Sequence, residues 1–121
     1  MLNFRTRITK EIQIMAAIIT VSDEMILFSD GSKIEFDHSP DCSENNYADF
    51  SQLDDIARVT DFDTSNMIFE SVPNSGFRFG NTGKMFFVPC YSEQYGFYSD
   101  NIDIFYNDDL VLSFNCKEIL K

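Results

Sequence analysis

The sequence predicts an α+β, β-rich fold: a mainly antiparallel curved sheet or small sandwich of seven to eight strands, with one short helix packed on it. Three observations lead there. The apolar set is rich in Phe (13) and Tyr (5) and has no Trp, and aromatic side chains suit a pleated, half-buried surface. Short runs alternate apolar and polar residues with period two. Turn signals separate these runs, and most connections are too short for the crossovers a parallel sheet requires.

The elements follow in order. Ile14 to Val21 is an apolar run of strand length, broken by Ser22-Asp23-Glu24. Met25 to Phe28 is a short strand. Asp30-Gly31 tolerates positive φ and marks a hairpin turn, after which Lys33 to Asp37 alternates cleanly. His38 to Asn46, with Pro40, reads as loop. Between Tyr47 and Ala57, the spacing of Phe50, Leu53, Ile56 and Ala57 puts one apolar face on a short helix, with Asp49 near its N-terminus. Arg58 to Phe62 and Met67 to Val72 read as strands, and Pro73 to Gly76 as a turn. Phe77 to Phe79 leads into a Gly80-Asn81-Thr82-Gly83 hairpin. Lys84 to Tyr91 follows as a strand whose Pro89 implies an edge or a bulge. Ser92 to Tyr98 is a tyrosine-rich loop. Ile102 to Tyr106, Asn107-Asp108-Asp109 and Leu110 to Phe114 make a final hairpin, and the tail from Cys116 to Lys121 reads as a short helix. No repeat or linker divides the chain, so residues 1–121 are expected to form a single domain.

Charge is the strongest compositional signal. Twenty acids against nine bases give a net charge of -11. Such a surface disfavours direct binding to nucleic acid or to an anionic membrane and favours a basic protein partner; the same acidity also serves solubility. Residues 1–14 differ from the rest, holding three bases and one acid, so the remainder carries six bases and 19 acids, a net of -13. They are either a loosely attached basic arm or a segment ahead of an alternative start at Met15. Cys42, Cys90 and Cys116 are odd in number with no secretory signal, which points to free thiols in a reducing cytoplasm. No apolar run approaches the roughly 20 residues that span a bilayer.

Asp30-Gly31, the alternating strand, and then His38-Ser39-Pro40-Asp41-Cys42-Ser43-Glu44 resemble a family of uncharacterised small phage and prophage proteins. That family shows a strand ending in His, an Asp-Cys pair with a following Glu, and a later GYYS-like segment, matched here by Tyr95-Gly96-Phe97-Tyr98-Ser99. The resemblance covers roughly residues 19 to 106. The chain departs from it at Ser43, where members often carry a second cysteine, and in having no Trp. The resemblance implies a β-rich fold and a phage or mobile-element origin, and it implies no established activity.

Three constellations bear on function. His38 and Cys42, with Asp41 and Glu44 beside them, could begin a zinc site if a distant cysteine joined them. They could instead form a His-activated thiol, or simply a packed loop. Asp49, Asp54, Asp55, Asp61 and Asp63 gather in one stretch, and Asp100, Asp103, Asp108 and Asp109 in another. Carboxylates displayed in this way can occupy a basic nucleic-acid channel; a solvated face is the plainer alternative. Tyr91, Tyr95, Phe97 and Tyr98 surround Gly96 and suit an interface, because tyrosine is apolar at one end and wet at the other. The expected function is therefore a small acidic inhibitor of a host nucleic-acid-acting defence enzyme, such as a CRISPR effector or restriction nuclease. It is expected to act without cofactor or catalytic residues. The alternatives are a metal or thiol protein using His38 and Cys42, and a structural or accessory phage protein.

Overall fold

A computed structural model describes residues 15–37, 45–94 and 99–120. These residues form eleven strands and three 3-10 turns. A six-stranded antiparallel sheet contains β1 (Met15–Val21), β2 (Met25–Phe28), β3 (Lys33–Asp37), β5 (Asp61–Asp63), β9 (Asn101–Tyr106) and β10 (Asp109–Asn115), in the order β10-β9-β3-β2-β1-β5. A second sheet runs β11 (Lys117–Leu120), β8 (Lys84–Gln94), β7 (Gly76–Asn81), β6 (Ile68–Val72), and β4 (Asn45–Ala48) also pairs with β8.

The alternating sequences dictate which face each strand buries. Ile26 and Phe28 on β2, Ile34 on β3, and Ile102 and Ile104 on β9 point inward from the first sheet. Phe77 and Phe79 on β7 and Val88 and Cys90 on β8 point inward from the second. One core joins the two sheets, and Phe62 is its hub. Its ring meets Phe28 edge-on at 5.6 Å, Phe86 edge-on at 5.8 Å and Phe79 at 5.8 Å. Such edge-to-face geometry sets the positive ring edge against a neighbour's negative face. At other places the sheets meet through Phe77–Phe114 and Phe69–Tyr106, and Phe36 of β3 packs on Phe50, just after β4.

Asparagine side chains close the seams. Asn81 Nδ2 donates to the carbonyls of Asp63 and Asn66, both at 3.1 Å, while its Oδ1 accepts from the Asp63 N–H at 2.8 Å, tying β7 to β5. Asn46, fully buried, donates to the carbonyls of Ser99 and Asn101 and accepts from the Ser92 hydroxyl at 2.5 Å. These amides satisfy backbone groups that no ladder reaches, which a buried seam requires.

The β2–β3 hairpin forms around Gly31 (φ 90°), and the β9–β10 hairpin turns at Asn107 (φ 51°) and Asp108 (φ 71°), as their sequences predict. Pro89 sits where β8 changes partner: it is opposite Gly76, the start of β7, while Cys90, the next residue, pairs with Ala48 of β4. The missing proline N–H costs no ladder bond there, and the Pro89 carbonyl accepts from Asp49 N–H at 2.8 Å.

Several expectations are corrected, among them the strand predicted from Arg58 to Phe62: Arg58 and Val59 end a 3-10 turn and the strand runs Asp61–Asp63. The helix predicted between Tyr47 and Ala57 is instead strand β4 followed by 3-10 turns at Phe50–Gln52 and Asp55–Val59. Asp49 and Asp54 each accept the N–H two residues on, so the chain is capped twice within six residues and no α-helical run can form. Phe50, Leu53 and Ala57 are buried as predicted, but Ile56 faces solvent. The tail predicted as helix is β11, which pairs in parallel with β8 from Lys117–Tyr91 onward. The rest of the pairing is antiparallel.

Candidate binding surface

The five acids grouped in sequence separate in space. Asp49 lies beside the second sheet, where Gln52 Nε2 bridges its carboxylate (2.8 Å) and the Tyr91 hydroxyl (3.1 Å). Asp63 caps the turn Thr64–Asn66 through the Ser65 N–H, the Ser65 hydroxyl and the Asn66 amide. Asp54, Asp55 and Asp61 stay exposed along the β5 margin of the first sheet. Asp55 is fully exposed and lies 4.0 Å from Arg58, too loose and too wet to neutralise the margin. The later acids lie at the opposite edge of the same sheet, on and around β9 and β10. Ser113 donates to Asp103 at 2.7 Å, and Asp108 reaches Lys33 at 3.5 Å.

Hydrogen bonds tune the capping acids. The Ser51 hydroxyl holds Asp49 below the ordinary carboxylate range. Asn66 and then Ser65 do the same for Asp63, and Thr64 and then Ser32 for Asp30. These carboxylates are therefore anionic at neutral pH, but Asp49 and Asp63 are committed to their own turns rather than presented to a partner.

Strand pairing builds an acidic groove that sequence spacing does not show. A cleft of about 460 Å³ is lined by Asp23, Glu24, Asp49 and Glu93, with Phe36, Tyr47 and Phe50 as its aromatic walls. It exists because β4 lies against the far half of β8, which brings Tyr47 opposite Tyr91, with ring centroids 5.8 Å apart. Tyr47 donates to Glu93 at 3.3 Å, and burial, followed by the Glu93 charge, raises its pKa. No spacing signal links residues 23–24, 49 and 93; only the tertiary pairing does.

Tyr91 packs beside this groove against Tyr47, with its hydroxyl accepting from Gln52. Tyr95, Phe97, Tyr98, His38 and Cys42 lie outside the described residues, as do the basic segment 1–14 and the resemblance's His-to-Glu stretch. Cys90 on β8 and Cys116 between β10 and β11 are buried, and burial lifts both thiols, Cys116 to about 12. Among the described residues no group of three metal-binding side chains occurs, and no helix is long and apolar enough to cross a membrane. No protein-family model, no curated protein and no solved structure matches the chain.

Proposed function

We propose that this chain is an acidic binding protein of phage type that inhibits a host nucleic-acid-acting defence enzyme by occupying the enzyme's basic surface. The observation that carries the reading is the net charge of -11 combined with the exposed carboxylates Asp54, Asp55 and Asp61 along one sheet margin. Carboxylates projecting from a rigid edge take the place that phosphates would occupy in a basic channel. The long-range attraction speeds encounter and weakens as salt is added. Supporting the same reading, the groove lined by Asp23, Glu24 and Glu93 adds a second anionic face that would accept lysine or arginine side chains.

The test begins with affinity capture from bacterial lysate at low and high salt, followed by assay of the captured enzyme's activity on its nucleic acid. The expected result is a basic enzyme that is retained at low salt, released at high salt and inhibited by the chain. Asp54→Lys, Asp55→Lys and Asp61→Lys together should abolish inhibition. Inhibition that survives this triple reversal would overturn the electrostatic reading.

A further inference from the structure

The β5 margin carries an apolar feature that acidity does not explain. Ile19 is 59% exposed, Ile56 62% and Val59 84%. Alternation along β1, with Ala16 and Ile18 buried, turns Ile19 outward. Ile18 pairs with Phe28 and Thr20 with Leu27, so the intervening Ile19 has no partner on β2. The buried face resumes at Val21, which packs on the core. The β-bulge between Ile18 and Thr20 shifts the alternation by one residue, so Thr20 is exposed beside Ile19. The β1–β5 ladder ends with Ala17 opposite Asp61, and the chain just before β5, the 3-10 turn Asp55–Val59, packs against β1. Three exposed β-branched side chains thus lie on this one margin. Ile56 and Val59 are three apart on the 3-10 turn and so on one face of it, with Asp54 and Asp55 at its start and Asp61 just beyond its end.

We propose that Ile19, Ile56 and Val59 form the apolar centre of the docking surface, and that its occupant is a protein surface with an apolar contact ringed by lysine or arginine. This rests on the inhibitor reading above and names the anchor within it. β-branched residues lose little rotamer freedom on contact, because their χ1 is already restricted. A small apolar centre inside a charged rim is the arrangement in which a few residues carry most of the binding energy. Charge complementarity selects the partner. A second copy would bring another -11 charge and the same three aspartates against the patch, and like charges at close range oppose that contact.

The test uses two synthetic peptides of equal length and charge, one alternating Lys with Leu and the other Lys with Ser. The expected result is that the Lys-Leu peptide binds at least about tenfold more tightly, equivalent to roughly 1.4 kcal/mol. It should shift the methyl resonances of Ile19, Ile56 and Val59. The variant I19S/I56S/V59S should lose this gain and keep the weaker, salt-sensitive affinity for the Lys-Ser peptide. Leu110→Ser, at an exposed position on the far edge strand β10, should keep the gain. Equal affinity for the two peptides, a gain that survives the triple variant, or a gain equally lost in Leu110→Ser would each overturn the anchor. Failure of both peptides to bind would instead remove the acidic-surface reading itself. A concentration-dependent dimer dissolved by the triple variant would overturn the proposal by assigning the patch to a second copy.

Discussion

Asp49, Asp54 and Asp63 each turn back to accept the backbone N–H two residues ahead, and Asp30 does the same to Ser32 at 2.9 Å. Three of the four follow one local pattern, Asp-x-Ser, at 30–32, 49–51 and 63–65. That pattern was legible as turn chemistry; reading the acids as a charge cluster obscured it. Asp49→Ala should cost about 1 kcal/mol, the usual worth of a capping side chain, measured as a lower urea midpoint at neutral pH. The sign of the pH effect follows from the depressed folded pKa values of Asp30, Asp49 and Asp63. Their stabilisation is full above the unfolded aspartate value of about 3.9 and is lost as pH falls through the lower folded values. The difference between Asp49→Ala and the parent chain should therefore shrink below about pH 4. A difference that stays constant down to about pH 2 would show that the charged cap is not its source.

At the scale of elements, the hairpins were readable because period-two alternation and Asp-Gly or Asn-Asp turns are local signals. β4 and β11 were not. β4 buries an asparagine, Asn46, at a position where the pattern expects an apolar residue, and its partner lies 46 residues away at Ser92. β11 is a short strand that β8 recruits in parallel, and nothing within Lys117–Leu120 announces that neighbour. Strand packing also makes Gly76 and Gly80 irreplaceable. A Cβ on Gly76 would lie 2.1 Å from the Val88 carbonyl oxygen and 2.8 Å from Pro89 Cα. Both are backbone atoms in the middle of β8 and cannot swing aside. Gly76→Ala should cost more than about 2 kcal/mol in denaturant unfolding. Gly31→Asn meets nothing within 4 Å but must hold φ at 90°, which L side chains rarely adopt, and should cost about 1 kcal/mol. Comparable losses at both sites would refute the close-approach argument.

For the whole molecule, excess charge dominates. Four ion pairs are found among the described residues, all on exposed or half-exposed side chains, and such pairs contribute little. Mutual repulsion among the acids should outweigh them, so adding salt from about 0.01 M to about 0.1 M, which shortens the screening length from roughly 30 to 10 Å, should raise the melting temperature. A fall on adding salt would mean the ion pairs matter more than the repulsion. At the alkaline end the buried thiols set the limit. Cys90 and Cys116 hold their protons above the ordinary thiol value of 9.0. Their contribution is complete below that value and fades as pH rises toward about 12, where Cys116 ionises. Stability should fall across that window, and Cys116→Ala should flatten the fall. The charge came from composition and needed no fold. The acidic groove and the Ile19–Ile56–Val59 patch did need one, because residues 23–24, 49 and 93, and 19, 56 and 59, meet only through pairing.

The β3–β9 junction has a consequence in time. Ile34 pairs with Tyr106, and the chain between them builds nearly all of the second sheet. Neighbouring-strand hairpins can close within about 1–10 μs, but the first sheet cannot be completed until this long loop of chain has been drawn in. Refolding followed by tyrosine fluorescence should therefore proceed over milliseconds to seconds, with the hairpins waiting on a single late closure.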